Sequence, residues 1–492
     1  MNNVVLKFLK EQGYENVSTS YYEWIDLWES WWRNDVNFHK YHDDSGTERK
    51  MYTLGMAKRI AEDWASILFT ERDEITTEAK TKTQTENNNK YLNKQLKILK
   101  VYADLPTAIE KAMAIGTAGA ILRIKHAKVD KNRNLIADKR TKLDIIYVSA
   151  SQIIPLKVEH GNIIDIAIVS EDTVGDKKEF YVEIYKLKYN ETEEIEYYEI
   201  TNTYLNEQGE KIHKDGIAEL YNIKSNIPLF SILKPAIANP INENYNTING
   251  LGFSVYGTAI DQLQTCDITY HNFVMDFYLG GKKVFYNKKI VKTTTVQVKG
   301  ADGRIREEQR EIYPDDLTKQ QWKTYGDEME NLKDNPAITE YNPKLRVDED
   351  TKGIQFALNM SSFKAGLGTE YYRFDNSKGI VTATQYVGDR QDLVENANKH
   401  RKKVDDFVSN ICKGILLLGR ILFKEPVTEE CTVTVVDKDG FMVDTETAKE
   451  EFRRDIAQGI RQPWEYRVKF LGEDEETAKA MIADEEIKPD EE

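Results

Sequence analysis

Two histidines, His39 and His42, with Asp43 and Asp44 directly behind the second, are the closest this sequence comes to a run of metal ligands. Zinc sites draw on short, characteristic His and Cys spacings that this run does not match. The surrounding NFHKYHDDSG stretch reads instead as a surface loop. The three cysteines, Cys266, Cys412 and Cys431, lie far apart with no CxxC. That excludes a disulfide framework and a zinc site, and it points to a reducing cytosol. Phosphate chemistry of the nucleotide-binding kind needs a glycine-rich loop. Gly250, Gly252 and Gly257 cluster, but no strand with GxGxxG precedes them, and GxxxxGK(S/T) is absent. GxSxG and HExxH are absent as well. With 83 Asp and Glu residues, a metal-dependent nuclease site built from carboxylates stands as an alternative. The expectation is a chain that is not an enzyme and carries no metal or cofactor.

The elements that would position any site can be read from periodicity. Tyr21, Trp24, Trp28, Trp31 and Trp32 recur at helical spacing, which predicts a helix with all five along one face. A second helix is predicted over 52–69, with Leu54, Ala57, Ile60, Ala61, Trp64 and Leu68 on one side. Residues 74–89 are rich in Thr, Glu, Lys and Asn without an apolar period and read as an exposed loop, followed by a single helix over 91–113. Strands are predicted over 120–125, 143–148, 163–169, 180–188 and 194–204. Their regular spacing, with the NEQGEK turn near Gly209, predicts an antiparallel meander. Ser254 is a candidate N-cap for a long helix over 255–277.

Asp302-Gly303 lies between the alternating runs 293–299 and 304–313, a hairpin signal; some helix is expected near 317–332. Helices are then predicted over 351–367 and 384–423. In the second, Val404, Val408, Ile411, Ile415, Leu418 and Leu422 step with the period of a helix packed along its length. Lys399, Arg401, Lys402 and Lys403 line its exposed side. A strand over 431–436 and helices over 445–459 and 463–482 follow.

A chain of 492 residues predicts about three domains. The net charge of −15 excludes an ordinary basic nucleic-acid binder. Much of that charge sits in residues 473–492, where acidic side chains far outnumber two lysines, and the expected state of such a block is a solvated end. The apolar stretch 411–423 is interrupted by Lys413 and Arg420, so no helix is expected to span a membrane. The first residues, MNNVVLKFLKEQGYEN, lack the long apolar core of a signal peptide.

Several stretches, taken in order, resemble one known family. They are YYEWIDLWESWWRND and MAKRIAEDWASILFTER within 21–72, TCDITYHNFVMDF at 265–277, GIVTATQYVGDRQDLVENANKH at 379–400, and the ending QGIRQPWEYRVKFLGEDEETAKAMIADEE. The sequence resembles the portal proteins of tailed bacteriophages, in the family of long non-contractile-tailed phages of Gram-positive hosts. The chain departs from the family pattern at Gln385, where an acidic residue is usual, and at Tyr386, where a small β-branched residue is usual. The resemblance implies a portal fold of the α+β class. Its parts would be a β-containing wing (1–240), a first stem helix (241–279), a β-hairpin clip (280–346), a second stem helix (347–367), a tunnel loop (368–381), a long tunnel and wing helix (382–424) and a helical crown with the acidic tail (425–492).

It implies further a cyclic homo-oligomer, typically a dodecamer, at one capsid vertex of the virion, assembled in the host cytoplasm. Double-stranded DNA would pass through it during packaging and ejection. Its partners would be the terminase motor, a head–tail adaptor, and the capsid and scaffolding proteins. Tyr371, Tyr372, Arg373, Asn376 and Lys378 are the residues expected to face DNA in the tunnel loop. The acidic balance suits this role. Duplex DNA carries about one charge per 1.7 Å of axis, and a basic wall would hold each passing phosphate. A virion structural or scaffold protein without a channel is the other alternative.

Overall fold

The computed structural model describes residues 3–14, 20–42, 46–69, 74–175, 177–191, 195–214, 218–241, 250–287, 293–299, 304–311, 321–324, 338–373, 391–436, 445–471 and 475–485. Helices and antiparallel strands are both abundant, as the α+β class requires. The chain divides into two compact units rather than three. One comprises Met1–Val36, Gly55–Asp261 and Asn359–Glu492, and the other Asn37–Leu54 and Gln262–Leu358.

Helix α1 (Asn3–Glu11) is followed by α2 (Tyr21–Trp32). In α2 the residues Tyr21, Tyr22, Ile25, Trp28 and Trp31 are buried, whereas Trp24 is 42% exposed. At 100° per residue Trp24 falls between Trp28 and Trp31, so it shares their face, and its ring meets that of Trp28 with centroids 6.4 Å apart. The face is buried at Tyr21, Trp28 and Trp31 and exposed at Trp24. Strands β1 (Lys40–His42) and β2 (Glu48–Lys50) form an antiparallel hairpin where a surface loop was expected. Helix α3 (Met56–Leu68) starts after Gly55, whose φ of 64° ends the preceding extended segment, so it begins four residues later than its periodicity suggests.

The segment read as an exposed loop folds into β3 (Glu74–Ala79) and the start of α4 (Lys82–Ile98). Ile75 and Thr77 are buried in the strand, and Asn88 is buried in the helix. The single helix expected over 91–113 is broken: α5 (Val101–Ile115) starts anew after Lys100, which takes a left-handed φ of 53°. That bend allows Leu99 and Val101 on either side of it both to be buried.

The next strands are β4 (Ala118–Lys125), β5 (Lys128–Val129), β6 (Leu135–Ile136), β7 (Lys142–Ser149), β8 (Ile153–Glu159), β9 (Asn162–Val174), β10 (Lys177–Asn190), β11 (Ile195–Leu205), β12 (Lys211–Ile212), β13 (Leu220–Ile223) and β14 (Phe230–Leu233). The predicted meander is present in part. The strands expected over 163–169, 180–188 and 194–204 are β9, β10 and β11 of the antiparallel order β12-β11-β10-β9-β8, with β13 also on β11, whereas those expected over 120–125 and 143–148 are β4 and β7 and leave this sheet. A second sheet runs β14-β4-β7. The NEQGEK turn closes as expected, Asn206 Oδ1 accepting from the backbone N–H groups of Gln208 and Glu210. Helix α1 covers the meander through Val5, Phe8 and Leu9, packed on Ile154, Ala167, Phe180, Val182 and Leu205.

Helix α6 (Ile260–Leu279) starts five residues later than predicted. Ser254 does not cap it; its hydroxyl accepts from the N–H of Tyr256 in the turn before the helix. Strands β15 (Lys283–Asn287), β16 (Thr293–Lys299), β17 (Ile305–Glu311), β18 (Gln321–Thr324) and β19 (Ile338–Tyr341) precede α7 (Val347–Lys364). The hairpin expected around Asp302-Gly303 is formed by β16 and β17, in register from Thr293↔Glu311 to Lys299↔Ile305; the turn itself lies outside the described residues. Part of the region expected to be helical, 317–332, is instead β18, which pairs in parallel with β15, and the rest lies outside the described residues.

In this second unit His39 is fully buried, which corrects its reading as a loop residue. Its Nε2–H donates to Asp267 Oδ2 at 2.9 Å, and the N–H of Leu54 donates to Asp267 Oδ1 at 2.8 Å. A carboxylate can be buried only when such donors replace its water.

The chain ends with α8 (Gln391–Ile421), β20 (Cys431–Val436), α9 (Thr445–Ala457), α10 (Pro463–Tyr466) and α11 (Glu475–Glu485). The start of the helix predicted at 384 lies outside the described residues. Val404, Val408, Ile411, Ile415, Leu418 and Leu422 are all buried, as their period requires. Gly414 allows the close approach of α8 to β4: a Cβ there would lie 2.6 Å from Leu122 Cδ1. Strand β20 pairs antiparallel with β3, from Cys431↔Ala79 to Val436↔Glu74. The helix expected over 463–482 is divided by a π-helical turn at Arg467–Leu471.

Candidate functional site

The predicted DNA-facing loop grows out of the C-terminus of α7, and its root is held in place by side chains from α3 and α8. The helix is closed by two backbone bonds, from Gly366 N–H to Phe363 O and from Leu367 N–H to Ser362 O. This pairing needs a left-handed residue between helix and loop, and Gly366 supplies it with φ of 79°. Ala365 and Leu367 are buried on either side of it.

The carbonyl groups left at the helix end accept hydrogen bonds from neighbouring side chains. Trp64 of α3 donates its indole N–H to Ala365 O at 3.0 Å. Asn396 of α8 donates its amide to Gly366 O at 3.1 Å. The Trp64 ring meets His400 edge-on, with centroids 4.8 Å apart. His400 Nδ1 accepts from the N–H of Ala236 at 3.0 Å, which requires the neutral ring. Burial, reinforced by the positive charge of Lys399, lowers the His400 pKa from 6.5 to about 4. Two helices thus converge on the loop's first residues, and the segment after β14 fixes the His400 ring behind them.

Of the five residues expected to face DNA, three are described. Tyr371 and Tyr372 meet edge-on, 5.0 Å between centroids. The Tyr372 hydroxyl turns to α3 and donates to Asp63 Oδ2 at 2.8 Å, while Arg59 pairs with the other oxygen at 2.8 Å. Burial pushes Asp63 above its ordinary carboxylate range, and the Tyr372 hydroxyl and Arg59 act against that rise. Burial, with the Asp63 carboxylate beside it, pushes the Tyr372 hydroxyl well above the usual phenol value. Arg373 pairs with Glu370 at 2.5 Å, so its charge is partly offset within the loop. Asn376 and Lys378 lie outside the described residues.

Asp63, Asn396 and His400 were not among the residues singled out as functional, and Trp64 was read only as part of an apolar face. A Trp and an Asp adjacent in α3 gave no warning that one would bind a helix end and the other a loop tyrosine more than 300 positions away in sequence.

Among the described residues, no three His, Cys, Asp or Glu side chains come together as a metal-binding group, and no helix is long and apolar enough to cross a membrane. No protein-family model matches the sequence, and no curated protein matches it.

Proposed function

We propose that this chain is the subunit of a phage portal: a ring, typically of twelve copies, that forms a DNA channel at one capsid vertex and docks the terminase motor and a head–tail adaptor. The observation that carries the reading, beside the resemblance in sequence, is the surface of the two helices expected to form the stem. Within the second unit α6 buries Leu263 and Cys266, and α7 buries Ile354, Ala357 and Leu358. Other positions on the same helices carry Ile268, Phe277, Tyr278 and Leu279 on α6, and Phe356 on α7, all exposed, with Tyr278 at 68% and Phe356 at 67%. Burying an apolar surface stabilises by about 25 cal/mol per Å², and helices with this much uncovered apolar side chain are expected to be covered by other copies. A closed ring does so with two different faces of each subunit, since its interfaces are heterologous.

The clip assignment is supported by the β16–β17 hairpin. It is a two-stranded sheet among the described residues, with strands such as Ile305–Glu311 that are almost wholly polar. Open polar edges suit strand addition by a neighbour or an adaptor. Arg346 and Asp276 pair through two hydrogen bonds, at 3.0 and 2.9 Å, where the segment leaving the clip meets the end of α6. The anchored root at Gly366 would let the rest of the tunnel loop contact passing DNA without loosening the helices behind it. Energy for packaging would come from the motor, since the chain has no nucleotide-binding glycine loop.

Native mass spectrometry of the purified protein tests the proposal. A closed oligomer of many 56.9 kDa subunits is expected, and monomer alone across concentrations and salts would refute it.

A further inference from the structure

One face of α8, which includes only Lys403 of the basic run 399–403, has a use that the portal reading does not assign. Lys403, Asp406, Asn410 and Lys413 recur at intervals of three and four, so they share one face of the helix. That face forms one wall of a cleft of about 360 Å³ in the first unit. Lys234, just beyond β14, and Asn162, at the start of β9, form the opposite side, and Phe407 and Ile232 provide apolar lining.

Lys234 is held in place before anything binds. Its Nζ donates to the carbonyl oxygen of Gly161 at 2.6 Å, a neutral acceptor that leaves the charge uncompensated. β14 is itself fixed to α8 by Ser231, whose hydroxyl donates to Phe407 O at 3.0 Å. Among the lining residues Asp406 is the one carboxylate against three lysines. Burial, and then the nearby Lys403 charge, pull the Lys234 amine below its ordinary pKa. Cations collected in a partly buried space repel one another, and an anion removes that penalty. Lysine is suited to phosphate as a point charge, whereas planar carboxylates favour the arginine fork. The amides of Asn162 and Asn410 and the hydroxyl of Ser409 add neutral donors around the ammonium groups.

We propose that this cleft binds phosphate, with room for two linked phosphoryl groups held between Lys234, Lys403 and Lys413. The same chemistry is offered by a free pyrophosphate-like anion and by successive phosphodiesters of a nucleic acid. The site belongs to a single copy of the chain and does not depend on ring assembly.

Isothermal titration of the full-length protein with inorganic pyrophosphate, and separately with a short DNA duplex, tests it. The Lys403→Gln/Lys413→Gln variant changes two solvent-accessible side chains, and the Lys399→Gln/Lys402→Gln variant removes the same charge from α8 outside the cleft. Losing even one hydrogen bond to a charged group weakens binding about tenfold or more. Pyrophosphate affinity is therefore expected to fall at least about tenfold in the first variant and to stay near wild type in the second. A parallel fall in duplex affinity identifies nucleic acid as a source of the phosphate, and an unchanged duplex affinity identifies the small anion. No pyrophosphate binding by the wild type, or equal loss in both variants, overturns the proposal.

Discussion

His400 provides a sharp test of how the loop root is built. Its ring is 4% exposed, accepts the Ala236 N–H, and has its pKa lowered from 6.5 to about 4. The folded state therefore holds fewer protons than the unfolded state between those values, so stability must fall as pH drops below 6.5 and level off below 4. Two and a half pKa units correspond to about 3 kcal/mol at the limit, and about 2 kcal/mol of this is lost between pH 7 and pH 5. Replacing His400 with Gln retains an acceptor for Ala236 and removes the titration. Urea unfolding of wild type and His400→Gln at pH 7 and pH 5, followed by circular dichroism, isolates the effect as a difference of differences. The variant is expected to lose about 2 kcal/mol less than wild type on acidification. Identical losses in the two proteins would mean that His400 is not held neutral, and the geometry of the root would be wrong.

Other perturbations test the remaining links. Arg123 donates to both oxygens of the buried Glu183, with Nε at 2.9 and 3.0 Å. Arg123→Met would leave that carboxylate without its partner and is expected to destabilise by about 3–5 kcal/mol in thermal or urea unfolding; a loss below about 1 kcal/mol would show the pair to be dispensable. Phe277→Asp/Phe356→Asp places charges on the exposed stem positions. It should shift the oligomer to monomer in native mass spectrometry while circular dichroism remains unchanged, and an intact oligomer would show that those side chains face no neighbour. Arg373→Ala/Lys378→Ala should impair DNA packaging or retention more than ring assembly, and the reverse pattern in a packaging assay would remove the loop from the DNA path.

Where burial follows local chemistry, the fold was legible in the sequence. Strands β9, β10 and β11 are runs rich in β-branched and aromatic residues, and the stripe on α8 from Val404 to Leu418 predicts its own burial. Several failures share a different cause: polar residues buried by hydrogen-bond partners that their local pattern does not reveal. Residues 74–89 look like a loop because Thr77, Asn88 and Asn89 are polar. Yet Asn89 Oδ1 accepts from the Thr77 N–H at 2.7 Å, and Asn88 exchanges two hydrogen bonds with the backbone of Thr428. His39 looks like part of a surface turn because Asp267 is 228 positions away. The break at Lys100 was hidden for another reason, since a left-handed lysine has no signature in composition. At the loop root, Tyr371 to Arg373 stood out as aromatic and basic. The residues that hold the root, Asp63, Asn396 and His400, looked like ordinary helix positions.

Electron microscopy of the purified full-length protein tests the central claim most directly. End-on views should show a closed ring of subunits around an opening wide enough to admit duplex DNA. Compact particles without an opening, or single subunits at every concentration, would contradict the account.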